Sequence, residues 1–183
     1  MTGGPARVIW ITGLSGAGKS SVALAVQSRL RASGVAAVVL DGDAVRLAVD
    51  DATCGHDRAS RIVNAYRICR LAKLLSDQSV TVVVATMSLF HEIHDWNAAN
   101  LSGYVEVFLR VPLDVLQRRD PKGLYRRQAA GAARDLGGVD LEIEEPRHPH
   151  LVVENGADLS DLTPVAERIV LAAYGPHASG SAG

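Results

Sequence analysis

Apolar runs alternate with stretches of helical spacing along most of the chain. Residues 7–12 (Arg7-Val8-Ile9-Trp10-Ile11-Thr12) form a short apolar run, and residues 20–33 then carry a helical pattern that Gly34 stops. A second run at 35–40 ends in Asp41-Gly42-Asp43. Residues 57–78 predict a long helix, with Ile62, Tyr66, Cys69 and Ala72 or Leu75 along one face. The β-branched run at 80–86 predicts a central buried strand, and 104–111 a fourth strand ended by Pro112. Residues 113–119 predict a helix, 150–153 a short fifth strand and 161–173 a closing helix. Residues 120–150 mix Gly, Pro and both charge signs with weak periodicity. They read as a mobile lid, because long loops in compact domains are usually functional or disordered. Small, polar residues at 175–183 predict a disordered tail. Strands alternating with helices predict an α/β fold: a parallel five-stranded sheet flanked by helices, in one domain over 1–174.

Composition narrows the function classes. The 183 residues are 48% hydrophobic with a formal net charge of −1, which gives no broad basic surface for nucleic acid. No apolar run reaches the length of a membrane span, and residues 1–6 lack the pattern of a signal peptide. Cys54 and Cys69 have neither metal-ligand nor redox spacing. Free thiols, and with them a cytoplasmic location, are the expectation.

The densest chemistry lies between the first strand and the first helix. Gly13-Leu14-Ser15-Gly16-Ala17-Gly18-Lys19-Ser20 fills every fixed position of a phosphate-binding loop, G-x-x-x-x-G-K-[ST], as found in P-loop proteins. Glycines let the backbone wrap a phosphate, and amides at a helix start favour an anion. Gly13, Ser15, Gly16, Ala17, Gly18, Lys19, Ser20 and Ser21 are therefore candidate ATP-binding residues. Lys19 would reach the β- and γ-phosphates, and Ser20 would hold Mg²⁺.

Ligands in such sheets sit beyond the carboxyl ends of the strands. Asp41, Asp43 and Ser88 all fall there, with Arg46 three residues past Asp43. A carboxylate at this rim can orient metal-bound water or accept a proton from an attacking hydroxyl. Asp-Gly-Asp is equally good turn and cap chemistry, and Ser88 is equally a candidate helix cap. Arg61 and Asn64 could belong to a solvated helix face.

The phosphate loop, Asp41-Gly42-Asp43 with Arg46, and above all Arg119-Asp120-Pro121-Lys122-Gly123-Leu124-Tyr125 together resemble the adenylylsulfate kinase family. The resemblance extends from about Val8 to Val153. It implies a P-loop kinase that phosphorylates the ribose 3′-hydroxyl of adenylylsulfate from Mg-ATP, and a homodimer. It also implies that Arg46, Arg61, Asn64 and Lys122 serve the substrate nucleotide, that Ser88 stands near the transfer, and that Arg119 lies near the ATP adenine. Direct transfer between bound substrates suffices, with Lys19, Asp41, Asp43 and Ser88 as candidate catalytic residues.

The departures fall on the acceptor side. Gly55-His56 stands where the family carries Gly-Phe, and Leu136-Gly137-Gly138 where it carries Phe-Thr-Gly, so His56 and Leu136 replace the pair that clamps the acceptor base. Leu89-Phe90-His91 replaces Pro-Tyr-Arg, and His94 stands where arginine is common. A related enzyme acting on another nucleotide, such as cytidine diphosphoramidate, stays open on these residues, as does an ATP-binding regulatory module without turnover.

Overall fold

The computed structural model describes residues 6–50, 55–132, 134–156 and 161–175. Cys54 and residues 176–183 of the expected tail lie outside them. The described elements run β1 (Val8–Thr12), α1 (Lys19–Ala32), β2 (Ala37–Asp41), α2 (Gly42–Val49), α3 (Arg58–Ser76), β3 (Thr81–Thr86), α4 (His91–Asn100), β4 (Tyr104–Arg110), α5 (Leu113–Arg119), α6 (Leu124–Ala129), β5 (Leu151–Glu154) and α7 (Thr163–Tyr174).

The five strands form one parallel sheet in the order β2-β3-β1-β4-β5. Alternate residues of each strand point to opposite faces, so the sheet supports two apolar layers. Ile9, Ile11, Val83, Ala85, Val107 and Leu109 pack with α1 and α7 on one face. Val8, Trp10, Val82 and Val84 pack with α3 and α4 on the other. Side chains such as Trp10 and Ile11 are fully buried, a contribution of roughly 1.5–3 kcal/mol each before entropy is counted.

Strand register fixes the functional rim. Thr12 pairs with Thr86, and Asp41 with Ala85, so the carboxyl ends of β1, β2 and β3 finish level. The phosphate loop leaves β1, Asp41-Gly42-Asp43 closes β2, and Met87-Ser88 leaves β3, so the three segments meet at one edge.

Three local differences from the sequence expectations have physical causes. Strand β2 starts at Ala37 rather than Val35, because the amides of Gly34 and Val35 return to the carbonyls of Arg31 and Leu30 and finish the α1 turn. A helix, α4, fills residues that the apolar pattern passed over. Ser88 does not cap it, since its N-cap is Phe90. The 120–150 stretch is not one continuous loop. Asp120 accepts the amides of Tyr125 and Arg126 and starts α6. Residues 136–145 are then fastened down: Leu136 and Leu141 are buried, the Glu144 amide bonds the Leu89 carbonyl, and the Glu144 carboxylate takes the His91 amide. Gly137 permits this packing, because a Cβ there would stand 2.7 Å from Met87 Sδ.

Candidate active site

The cleft at the rim has two continuous parts. A cavity of about 250 Å³ lies over the phosphate loop, lined by Ser15, Gly16, Gly18, Lys19, Ser20, Ser21, Asp41, Asp43, Arg46, Arg61, Asn64, Thr86, Ser88 and Lys122 among others. A second of about 460 Å³ shares Ser15, Asp43, Arg46, Arg61 and Lys122, and adds His56, Arg127, Arg134, Asp135 and Leu136.

The loop end depends on close backbone approach. A Cβ on Gly13 would stand 2.6 Å from the Leu109 carbonyl oxygen, so β4 can lie against the loop only where the side chain is absent. Gly18 caps α1 in the left-handed region, φ 89°, with no side-chain cap, so the first amides of α1 keep their donors for a ligand. Lys19 Nζ donates to the Leu14 carbonyl at 2.8 Å. Burial, then the Lys122 cation, lowers the Lys19 pKa to about 8.

Asp41 does two jobs. Its Oδ1 accepts the amides of Asp43 at 2.9 Å and Ala44 at 3.3 Å, which caps α2. Its Oδ2 accepts the Ser20 hydroxyl at 2.5 Å. That hydroxyl–carboxylate pair beside the loop is an oxygen donor set suited to a hard divalent cation such as Mg²⁺. Asp43, in the first turn of α2, caps nothing. Its carboxylate receives Lys122 Nζ and, at 3.3 Å, Arg46 Nη1. Burial pushes its pKa up, but Lys122, Arg46 and Lys19 more than offset this, and the net shift is downward. Lys122 thus joins the stretch before α6 to the start of α2.

Arg61 braces the outer cavity. Its Nε donates to the His56 carbonyl, and its Nη2 donates to the Asp135 carbonyl at 2.9 Å, which ties both walls together. Burial, then the cations Arg46 and Arg61, lowers the His56 pKa below its usual value and favours the neutral ring. Leu136 lines the cavity but is only 5% exposed, its side chain being packed into the core. Ser88 is buried, with its hydroxyl 3.0 Å from that of Thr86, and its carbonyl meets His94 Nε2 at 2.8 Å. Arg46 Nε and Asn64 Oδ1 are buried without protein partners, and both residues line the cleft. Arg119 lies outside both cavities, at the end of α5, with Nη1 on the Asn155 carbonyl at 3.0 Å. Ala17, within the loop, is buried.

Sequence reasoning did not single out Arg127 and Arg134. The signal was weak, two cations in an aperiodic stretch, and only the placement of residues 124–136 over the cleft makes them wall residues.

A parallel sheet carrying a lysine-bearing phosphate loop at its carboxyl rim, with two carboxylates opposite, defines a P-loop phosphotransferase. Residues 5–154 match the adenylylsulphate kinase family profile, and the chain belongs to that family. It is 39% identical over 154 residues to the adenylyl-sulfate kinase of Rippkaea orientalis, covering 84% of this chain and 83% of that one. It is 39% identical over 165 residues to the bifunctional enzyme NodQ of Azospirillum brasilense, covering 89% of this chain but spanning only 26% of that protein. The Mycobacterium tuberculosis APS kinase CysC, solved in complex with AMPPNP and APS, superposes with a TM-score of 0.82 at 33% identity, covering 93% of this chain and 98% of that one. Among the described residues, no helix is long and apolar enough to cross a membrane.

Proposed function

We propose that this chain transfers the γ-phosphate of ATP to the ribose 3′-hydroxyl of adenylylsulfate. The observation that carries the acceptor half is the pair of buried, unpartnered polar atoms, Arg46 Nε and Asn64 Oδ1, in a cleft that also holds Arg61 and Lys122. Orphaned buried polar groups are costly, and an anionic, hydrogen-bonding ligand satisfies them. The relatives named adenylyl-sulfate kinase, and the kinase solved with APS, supply the identity of that ligand.

In this reading the triphosphate lies along Gly13 to Ser21, with Lys19 on the β- and γ-phosphates and Arg119 beside the adenine. Ser20 and Asp41 would hold Mg²⁺, which supplies charge neutralisation on the phosphate oxygens. Asp43 is the base and Asp41 is not, because the Asp41 oxygens are committed to the α2 cap and to Ser20. The acceptor hydroxyl oxygen attacks the γ-phosphorus as its proton passes to Asp43. The bond to the β–γ bridging oxygen breaks, and ADP leaves with the electron pair. Lys122 must leave Asp43 for this, and its cation then serves the transferring phosphoryl group or the acceptor. Ser88 donates a hydrogen bond on the acceptor side, and Arg46, Arg61, Asn64, His56 and Leu136 form the acceptor pocket.

A homodimer is part of the same reading. Val63, Leu71 and Leu74 of α3 and Leu47 of α2 are exposed and would supply an apolar face for it. A reducing, cytoplasmic setting suits Cys69, a buried free thiol. The stretch around Lys122 and α6 would act as the lid.

A coupled ADP-release assay with adenylylsulfate and cytidine-based acceptors side by side tests the proposal. Turnover with adenylylsulfate well above the cytidine compounds is expected. Turnover only with a cytidine acceptor would move the chain to a different substrate class, and ATP binding without turnover on any acceptor would make it a regulatory module.

A further inference from the structure

A phosphate loop works only if its amides point inward, and peptide planarity couples each amide to the preceding carbonyl. In a trans peptide the C=O of one residue and the N–H of the next point in opposite directions. Fixing a carbonyl outward therefore fixes the following amide inward. The coupling matters most at Gly16 and Gly18, whose φ values of 83° and 89° lie in the left-handed region. Glycines make the flanking peptides the easiest in the loop to flip. A flipped peptide would present an oxygen, not a donor, to a phosphate.

The carbonyls that precede these two glycines are each held by a side chain from far along the chain. Tyr125 of α6 donates its hydroxyl to the Ser15 carbonyl at 3.0 Å. Asn155, just past β5, donates Nδ2 to the Ala17 carbonyl at 2.9 Å. Both side chains are themselves fixed. Tyr125 is buried, and its amide is bound by Asp120 Oδ1 at 3.1 Å. Asn155 is buried, its amide donates to the Arg110 carbonyl at 2.9 Å, and its own carbonyl accepts Arg119 at 3.0 Å. The Asn155 orientation follows from chemistry: turning the amide over would set Oδ1 against the Ala17 carbonyl. Gly18 makes room for it, since a Cβ there would stand 3.2 Å from Nδ2.

We infer that Tyr125 and Asn155 are positioning residues of the phosphate loop, which aim the Gly16 and Gly18 amides at the triphosphate by tethering the Ser15 and Ala17 carbonyls from behind. Neither side chain lines the cleft, so each acts through the loop and not on the nucleotide. Burial, then the nearby Asp120 carboxylate, raises the Tyr125 pKa to about 12, so the phenol remains a donor at working pH. Tyr125 also ties the loop to α6 and so to the preceding stretch that carries Lys122, and Asn155 ties it to the edge strand of the sheet.

The inference rests on the reading that this loop binds ATP, and the test separates the two. Calorimetric binding of ADP and of AMP, which lacks the β- and γ-phosphates, is measured for the full chain and for Tyr125→Phe and Asn155→Ala. Thermal melts of the unliganded proteins check folding. Each variant gives up one hydrogen bond, so an increase in the ADP Kd of about five-fold is expected, with AMP affinity held within about two-fold. Unchanged ADP affinity in the folded variants overturns the inference. So does an equal weakening of ADP and AMP, which a merely structural role would give. Should Asn155→Ala melt below the assay temperature, Tyr125→Phe, which keeps the ring, decides the matter alone. If the unsubstituted chain fails to bind ADP, the ATP reading itself fails, and the inference with it.

Discussion

The phosphate-loop end of the cleft, the proposed donor end, is built from main chain, whereas the opposite, proposed acceptor end is built from long side chains on separate segments. At the phosphate-loop end, the amides and glycines occur within one contiguous stretch, with Lys19 and Ser20 as its working side chains, while Asp41 and the tethers Tyr125 and Asn155 reach it from elsewhere. At the acceptor end, Arg46 comes from α2, Arg61 and Asn64 from α3, Lys122 from the stretch before α6, and His56 and Leu136 from two loops. Backbone geometry tolerates little change and is written locally. A wall of side chains can be rebuilt one residue at a time without disturbing the sheet. Of the departures from the family pattern, His56 and Leu136 lie on that second wall, whereas Leu89, Phe90, His91 and His94 line neither cavity.

The largest effect should come from the donor end. Lys19→Ala removes the single cation aimed from the loop at the developing charge, and kcat should fall by on the order of 10³ while the far-ultraviolet spectrum stays native. Near-normal turnover would detach the loop from the chemistry. Next come the two carboxylates, which should fail differently. Asp43→Asn should lower kcat by on the order of 10² with little change in Tm. Asp41→Ala should lower turnover and also cost about 1 kcal/mol of stability, because the α2 cap goes with it. Equal Tm losses in the two variants would remove the distinction between base and cap.

This difference in construction also explains what could be read in advance. The sheet and the loop were legible because strands β1, β3 and β4 are apolar runs and the loop motif is contiguous. Helix α4 was not legible, since its inward positions include His94 and Asn97 beside Ile93, and a polar residue facing the core erases the helical pattern. Helix α6 was not legible either. It starts on a carboxylate at Asp120 and packs by way of Tyr125, features with no apolar period. Leu136 lines the outer cavity, but its burial there could not be seen from one residue in an aperiodic stretch. The separate roles of Asp41 and Asp43 are not visible in sequence either, because a capping carboxylate and an ion-paired one look alike there.

The phosphate-loop end should also show a pH signature of its own, on the alkaline side. Burial and the Lys122 charge hold Lys19 at about 8 in the unliganded chain. Bound phosphate favours the ammonium form and raises that value, so the nucleotide complex binds more protons than the free protein above about pH 8. Affinity for ATP should therefore be level below about pH 8 from this group and fall as pH rises beyond it, by up to about one log unit per pH unit. Calorimetry in buffers of different ionisation enthalpy should register proton uptake near about pH 9, and Lys19→Ala should abolish it. No uptake would mean that Lys19 is already fully charged in the free loop.

The smallest effect tests the acceptor wall, and His56 is the position to change. The residue is exposed at the cavity mouth, and its ring is held neutral by partial burial and by Arg46 and Arg61, so at neutral pH it can lie against a base face as a modest aromatic. His56→Phe enlarges that face and should lower the KM for adenylylsulfate by about two- to ten-fold, leaving the KM for ATP unchanged. The companion change, Leu136→Phe, should not help. Leu136 is packed in the core, and the added volume should cost roughly 1–3 kcal/mol of stability. The wild-type chain should also show a change in acceptor KM on the acid side of the ordinary histidine range, where the His56 ring, its pKa lowered by burial and by Arg46 and Arg61, takes up its proton, a change that His56→Phe should lack. An ATP KM that moves with the acceptor KM would show that the two ends of the cleft are not separate constructions. An acceptor KM that does not move at all would place the base elsewhere than against residue 56.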